Sequence, residues 1–163
     1  MNIEKEFTDI YKTHASKVYR LCLGYASGDD HLAKEWQQET FVKVWKHRKS
    51  FKGNSSVSTW IYRIAINICL GDLRKSKKHV QIDDNIHALD LTHMDEEKHE
   101  DKIQRMYDCI NKLSKNNKTL ILLELEEIPQ ATIAETLGIN HGAVRTRLNR
   151  IRKTLLKCIT NEK

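Results

Sequence analysis

The sequence predicts an all-α fold of two small helical domains, joined by a flexible acidic linker. The 163-residue chain contains a single proline and only six glycines, and alternating β-branched runs are scarce. Apolar residues instead recur at helical spacing along most of the chain. Charge divides the chain into blocks: residues 1–78 carry 15 Lys/Arg and 8 Asp/Glu, residues 79–101 carry 1 and 8, and residues 102–163 carry 12 and 6. The acidic middle block has weak periodicity, which is typical of a linker.

The overall composition limits the possible partners and compartments. A net charge of +6 and a pI of about 9.1 suit a polyanionic partner without identifying it. No stretch of eighteen apolar residues is present and the N-terminus lacks a signal-peptide core, so we expect a cytoplasmic protein with no direct membrane insertion. The histidines at 79, 87, 93 and 99 match no compact ligand pattern, so neither a metal nor another cofactor is expected.

The four cysteines are far apart and form no CxxC motif. In a reducing compartment we expect them to be small apolar core residues rather than metal ligands or redox groups. Each has apolar neighbours at helical spacing. They are Cys22, Cys69, Cys109 and Cys158.

A long helix is predicted over residues 31–51. One of its faces is apolar and is expected to be buried; it comprises Ala33, Trp36, Phe41, Val44 and Trp45. A second stripe carries Glu35, Gln38, Glu39 and Val42. An acidic and amide stripe on a basic protein is badly placed for DNA and better placed for a protein that offers Arg or Lys. Ordinary solvated surface explains the stripe equally well.

A glycine- and serine-rich loop, residues 51–60, leads into a helix predicted over 58–78. The core face of this helix comprises Ile61, Ile64, Ala65 and Ile68, and the opposite side carries Arg63, Asn67, Leu70 and Arg74. A polar loop before such a helix can hold a single strand with an unstacked base. Trp60 and Tyr62 could stack on bases, although core packing of Trp60 explains its position at least as well.

The chain after the linker begins with two further predicted helices. Residues 102–113 are amphipathic, with Met106, Cys109, Ile110 and Leu113 on one face. Residues 118–128 are apolar nearly all round, which predicts a buried helix. Pro129 suits the first turn of the next helix, where its missing N–H does no harm.

Residues 130–153 fit a helix-turn-helix. Ala134 is small where the two helices must approach, and Gly138, four residues later, supplies the turn. Asn140 is a good N-cap for the second helix.

The second of these helices has four arginines within eight positions. Its apolar residues Val144, Leu148, Ile151 and Leu155 share one face, and the opposite face carries Gly142, Thr146, Asn149 and Lys153, with Arg145 and Arg150 on its flanks. Such donors can read base edges and phosphates in a major groove. A solvated basic face is the alternative, and the glycine turn favours DNA binding.

Four segments together resemble the extracytoplasmic-function sigma factors of bacterial RNA polymerase, in that family's order and spacing. They are QQETFVKVWKH, FKGNSS, TWIYRIAINICLGDLRK and IAETLGINHGAVRTRLNRIRKTL. The resemblance covers nearly all of the chain except the linker. It implies region 2 over residues 1–78, the linker over 79–101 and region 4 over 102–163. It further implies a non-enzymatic factor that binds core RNA polymerase, directs promoter-specific initiation and helps to melt the promoter.

The resemblance also implies a role for individual positions. Docking on the β′ clamp helices of core polymerase would involve Glu35, Gln38 and Glu39. Contacts to the minus-ten element would involve Asn54, Ser55, Ser56, Val57, Arg63, Asn67 and Arg74. Reading of the minus-thirty-five element would involve Arg145, Thr146, Asn149 and Arg150. The other implied partners are the polymerase β flap and an anti-sigma factor.

The sequence departs from the family pattern at several positions. Glu35 replaces a usual Asp, Gln37 replaces an apolar residue, and Ala143 replaces a common Thr. Pro129 and Thr132 stand where a Ser or Thr cap and a Glu are usual. We expect these changes to alter contact geometry but not the fold.

Two other classes of function explain the sequence less well. A stand-alone helix-turn-helix regulator would leave the acidic stripe and the glycine-serine loop unexplained. A nuclease or recombinase lacks support, because the sequence shows neither clustered carboxylates nor a Ser/Cys–His arrangement.

Overall fold

The computed structural model describes residues 3–80 and 97–160. These residues form helices and no strand, which confirms the predicted all-α class. The helices are α1 (Ile3–Tyr25), α2 (Asp30–Lys46), α3 (Val57–Val80), α4 (Glu97–Asn111), α5 (Lys115–Leu125), α6 (Gln130–Leu137) and α7 (His141–Thr160). We call α1–α3 the N-terminal domain and α4–α7 the C-terminal domain.

The N-terminal domain is a bundle in which all three helices pack on one another. Its core contains Val18, Leu21, Cys22, Ala33, Trp36, Val44, Ile61, Ala65 and Cys69. Asp29 caps α2, because its carboxylate accepts the Leu32 N–H at 3.1 Å. The Trp36 indole N–H donates to the Asp72 carboxylate at 2.9 Å, which joins α2 to α3.

Trp45 corrects the predicted buried face of α2. The other four predicted residues are buried, but Trp45 is 38% exposed. Its ring lies edge-on to Phe7 at 5.1 Å, and the Arg48 guanidinium covers it at 3.9 Å from the centroid. The apolar arc of α2 is therefore wider than the face that α1 and α3 cover.

The C-terminal domain is built around α5. This helix buries Thr119 and the four residues Leu120, Ile121, Leu122 and Leu123, as its all-round apolar character predicts. Against it pack the predicted apolar residues of α7, Val144, Leu148, Ile151 and Leu155, all of which are buried.

The helix-turn-helix forms as predicted, with one change at its start. Gly138 ends α6 in the left-handed conformation, at φ +67°, which favours glycine. The Asn140 side chain accepts the Ala143 N–H at 3.2 Å and so caps α7. Pro129 is the N-cap residue of α6 rather than its first helical residue, and it makes no side-chain cap bond.

The cysteines divide into two pairs. Cys22 and Cys69 are buried thiols whose sulfurs are 3.7 Å apart, in agreement with the core prediction. Cys109 is buried, as predicted, but it forms a disulfide with Cys158, with the two Cα atoms 5.9 Å apart, so the prediction of core residues rather than redox groups is wrong for this pair. The packing of α4 against α7 brings together two residues that are 49 positions apart in sequence.

The predicted linker overlaps the helices at both of its ends, since α3 continues to Val80 and α4 begins at Glu97. Residues 81–96, with the histidines at 87 and 93, lie outside the described residues, and so does the prediction of flexibility there. None of the described helices is long and apolar enough to cross a membrane. Within the described ranges, no three His, Cys, Asp or Glu residues are grouped to hold a metal ion.

The two domains pack against each other, chiefly α3 on α6 and also α1 on α5. Tyr25 shares a hydrogen bond with Thr119, and burial raises the Tyr25 pKa well above its usual value. The Arg20 guanidinium binds the Glu126 carboxylate at 2.6 Å. The surfaces of both domains are therefore partly covered by the other domain.

Candidate protein and nucleic-acid interfaces

The acidic stripe on α2 is exposed to solvent. Glu35, Gln38 and Glu39 all lie on its outer surface. The two carboxylates have partners one turn away on the same helix: His31 is 3.2 Å from Glu35, and the Lys43 ammonium is 3.7 Å from Glu39. Exposed pairs of this kind hold their partners weakly. The carboxylates can therefore exchange them for Arg or Lys of another protein.

An apolar groove between α1 and α2 adjoins the stripe and was not predicted as a site. It has a volume of about 770 Å³ and shares Gln38 and Val42 with the stripe. Its apolar lining consists of Phe7, Tyr11, Phe41, Val42 and Trp45. Tyr11 and Val42 both line this groove and are each 44% exposed, so the groove presents apolar surface to solvent. The sequence feature that could have indicated this groove was Val42, an apolar residue within the polar stripe.

Gln37 shows how the chain accommodates a departure from the family pattern. Its side-chain amide donates to the Ala15 carbonyl at 2.8 Å and so joins α2 to α1. A hydrogen bond therefore occupies a place where an apolar contact was expected, and the neighbouring stripe keeps its helical position.

The polar loop before α3 ends in a cap. The Ser56 hydroxyl accepts the Thr59 N–H at 3.1 Å, so Ser56 caps α3. Asn54 is exposed, and Ser55 and Val57 are half-buried. Gly53 has a φ of +74°, which allows the chain to reverse ahead of these residues. The predicted base-holding residues thus lie together at the N-terminus of α3.

The outer face of α3 is exposed only in part. Arg63, Asn67 and Arg74 are exposed, as the predicted spacing requires. Tyr62, a predicted base-stacking residue, is only 3% exposed, so stacking by Tyr62 is excluded in this arrangement of the domains. Its burial, with a smaller effect from Glu126, raises the Tyr62 pKa. Trp60 is half-buried against Phe51, with ring centroids 5.1 Å apart.

The exposed face of α7 carries the predicted base-reading groups together. Arg145, Thr146, Asn149 and Arg150 are all exposed, opposite the buried apolar residues of the same helix. The Thr146 hydroxyl donates to the Gly142 carbonyl at 3.1 Å and retains acceptor capacity. Arg152 is bonded to Glu124 on α5, which directs it away from this face.

The site residues therefore form three separate surfaces: the stripe and groove on α1 and α2, the loop with α3, and the outer face of α7. The first and third are open in this structure. The second is partly covered, because Ser56 and Arg63 are bonded to α6 of the other domain.

Comparison with known proteins matches both domains to models of one family. The model for Sigma-70 region 2 matches residues 10–79, and that for Sigma-70 region 4 matches residues 103–155. The ECF RNA polymerase sigma factor SigW of Bacillus subtilis is 31% identical, over 93% of this chain and 87% of that protein. The RNA polymerase sigma factor YlaC of the same organism is 30% identical, over 95% and 92%.

Two solved structures share the fold. One is the sigma factor RpoE of Bartonella quintana, crystallised with the anti-sigma factor NepR. It has a TM-score of 0.71 at 21% identity and is aligned over 98% of this chain and 99% of that one. The other is CnrH in complex with the cytosolic domain of CnrY, with a TM-score of 0.71 at 17% identity over 98% and 91%.

Proposed function

Because this chain belongs to the extracytoplasmic-function sigma factors of RNA polymerase, which direct promoter-specific transcription initiation, we propose a role in that process for each of its three surfaces. The acidic stripe with Glu35, Gln38 and Glu39 docks on the β′ clamp helices of core polymerase. The adjoining groove receives apolar side chains of the same partner. A polar rim beside an apolar centre is the usual anatomy of a protein interface.

The loop and α3 hold the minus-ten element. Asn54, Ser55, Ser56 and Val57 surround an unstacked base, and the cationic and amide groups of Arg63, Asn67 and Arg74 contact the strand. Base flipping costs a few kcal/mol, which pocket contacts and the hold of polymerase on melted DNA offset.

The outer face of α7 reads the minus-thirty-five element in the major groove. The observation that carries this proposal is the alignment of Arg145, Thr146, Asn149 and Arg150 on one exposed face, with the opposite face buried. Arginine and asparagine side chains recognise base edges through paired hydrogen bonds.

The two DNA contacts act together because both domains are mounted on polymerase. Once one element is bound, the second contact becomes intramolecular, so two weak contacts suffice. The factor catalyses no reaction itself and works in the cytoplasm, with core polymerase as the enzyme. The solved relatives RpoE and CnrH were each captured with a protein partner, NepR and CnrY, and this chain is likewise bound by an anti-sigma factor.

Co-elution with bacterial core RNA polymerase, followed by transcription from a promoter library, tests the proposal. We expect a stable complex and transcripts that share upstream elements. Failure to co-elute, with tight binding of the free protein to a duplex operator, would instead identify a stand-alone regulator and remove the assignments on α2 and α3.

A further inference from the structure

We propose that Cys109 and Cys158 are an exchangeable dithiol–disulfide pair, and that its oxidation state controls how firmly α7 is held for DNA reading. The disulfide joins α4 to the last turn of α7. The regulatory part of this inference rests on the proposed role of α7 at the minus-thirty-five element. The exchange chemistry does not depend on that role.

The compartment favours an exchangeable bond over a permanent one. A factor that works in the cytoplasm meets a thiol pool that keeps most cysteines reduced. Disulfides that form in such a compartment are usually transient, and they commonly sense the redox state. We therefore expect the Cys109–Cys158 bond to exchange with thiols in solution.

Helix packing holds the two cysteines together even without the bond. α4 packs on α7, and the nearby apolar residues Ile110 and Leu155 on these helices are buried. The Cα atoms of Cys109 and Cys158 are 5.9 Å apart, within the range that a disulfide spans. Because the apolar contacts do not need the bond, the reduced thiols stay close enough to form it again.

The two cysteine pairs of the chain differ in their access to solvent. Cys22 and Cys69 lie in the N-terminal core with their sulfurs 3.7 Å apart, and both residues are fully buried. Cys109 is 4% exposed, whereas Cys158 is half-buried in the last turn of α7. A thiolate from solution can therefore approach Cys158 but not the thiols of the N-terminal pair.

Reduction proceeds by exchange with a dithiol from solution. Its thiolate attacks the Cys158 Sγ, the sulfur–sulfur bond breaks, and the Cys109 sulfur leaves as a thiolate. The second thiol of the reductant then attacks the mixed disulfide and releases Cys158. Each attacking thiol loses one proton and each released cysteine gains one, while two electrons pass to the protein and the reductant leaves as its own disulfide. The reverse steps, with a disulfide in solution as the oxidant, restore the bond.

The bond encloses the helix-turn-helix. Between its ends lie α5, α6 and most of α7, with the turn at Gly138 and the exposed face that carries Arg145 and Arg150. Breaking the bond gives the unfolded chain more conformational freedom, which lowers the stability of the domain. The Arg152–Glu124 ion pair still ties the middle of α7 to α5. Reduction therefore loosens the last turns of α7, and ordering them again on DNA weakens binding.

Alkylation of the folded full chain tests the exchange. Wild-type protein is oxidised with glutathione disulfide, incubated with or without dithiothreitol, alkylated with a maleimide in the absence of denaturant and analysed by mass spectrometry. We expect no label on the oxidised protein and label on Cys158 after reduction, while Cys22 and Cys69 react only in denaturant. Absence of the disulfide after oxidation, resistance of the bond to dithiothreitol until the protein unfolds, or equal labelling of all four cysteines would overturn the proposed pair.

Thermal unfolding measures what the bond contributes to stability. We expect reduction to lower the Tm of wild-type protein by about 10 °C, because a disulfide is lost from a small domain. Cys158→Ser should unfold at the lower temperature with or without dithiothreitol. Cys22→Ala, which changes the N-terminal pair, is the matched control and should keep the redox-dependent difference. A wild-type Tm that does not respond to dithiothreitol would refute control of stability by the bond.

Transcription with core polymerase tests the consequence for DNA reading. Oxidised and reduced wild-type protein are compared on promoters with and without a matching upstream element, and Cys158→Ser under both conditions reports any effect of dithiothreitol on polymerase. We expect the reduced protein to lose about threefold at promoters with the element, and Cys158→Ser to be equally low in both conditions. Equal output from both wild-type forms would refute control of DNA reading. If no form supported transcription, the proposed function would be at fault, and alkylation and unfolding would still decide the exchange.

Discussion

Gly24 of α1 lies against Leu122 of α5, so close that a Cβ atom at position 24 would be 2.3 Å from the Leu122 Cδ2. Real Cβ atoms do not approach another atom this closely, so the contact depends on the missing side chain. The glycine has ordinary helical backbone geometry and belongs to a different domain from the leucine. It therefore allows the domains to approach rather than permitting an unusual turn.

A bulky residue at position 24 should separate the domains without unfolding either of them. Gly24→Leu removes a poor helix former from α1 and inserts a side chain where Leu122 lies. We expect a larger radius of gyration by small-angle X-ray scattering, with unchanged helix content by circular dichroism. Gly71→Leu is the matched control, because a Cβ at Gly71 meets nothing within 4 Å. Scattering curves that coincide for all three proteins would show that the Gly24 contact does not hold the domains together.

Arg150→Ala should weaken the use of promoters that carry a matching upstream element. If the Arg150 guanidinium makes a bidentate contact to a base, the variant loses about 1–3 kcal/mol of binding free energy at those promoters. Transcription from a promoter library measures the effect for each sequence. Arg147→Ala, an exposed neighbour outside the proposed reading set, is the control for loss of charge. An equal loss at every promoter would indicate phosphate contact by Arg150 instead of base reading.

Glu39→Lys should abolish binding to core polymerase while the fold stays intact. The change reverses the charge of an exposed position and places it one turn from Lys43, which now pairs with Glu39 at 3.7 Å. Gel filtration with core polymerase measures the loss, and thermal unfolding of the free protein checks the fold. Asp9→Lys is the matched control, because it makes the same charge reversal at an exposed position on α1. Normal co-elution of Glu39→Lys would remove this residue from the docking surface.

His14 should make the stability of the protein depend on pH. Its Nδ1 is buried with no hydrogen-bond partner among the described residues. Burial, followed by the charge of Lys17, lowers the His14 pKa below the usual 6.5. The unfolded chain therefore binds a proton more readily than the folded one, so stability falls as pH drops below about 6.5 and levels off below the folded pKa.

Urea unfolding of wild-type protein and of His14→Gln between pH 5 and about 7.5 measures the contribution of His14 to the pH dependence of stability. Carboxylates titrate mainly below that window, so they contribute little to the difference. Above the histidine pKa, the free energies of unfolding of the two proteins should depend on pH in the same way. On acidification, the variant should lose less stability than the wild-type protein. A parallel decline in both would assign the effect to other groups.

Local patterns predicted most of the secondary structure, and tertiary contacts account for what they missed. The buried face of α7, the turn at Gly138 and the cap at Asn140 depend on residues within a few positions of one another, and all were predicted. The exposure of Trp45 and the burial of Tyr62 depend on which helix covers them, which periodicity alone does not specify. The roles of individual residues toward polymerase and DNA stay predictions.

The Cys109–Cys158 disulfide and the packing of the two domains could not be predicted from the sequence, because both depend on tertiary contacts. Each joins residues far apart in sequence, and neither leaves a local pattern. Sequence spacing favoured thiols because the cysteines share no motif, while the packing of α4 against α7 brings two of them within bonding distance.

The disulfide also determines how the C-terminal domain would respond to mechanical load. It links the first helix of that domain to the last turns of α7, and so encloses α5, α6 and most of α7 in a covalent ring. Tension applied between the linker and the chain end passes through the sulfur–sulfur bond and bypasses that ring. The helix-turn-helix is thereby shielded from any pull that the rest of a large moving assembly exerts on the two ends of its domain.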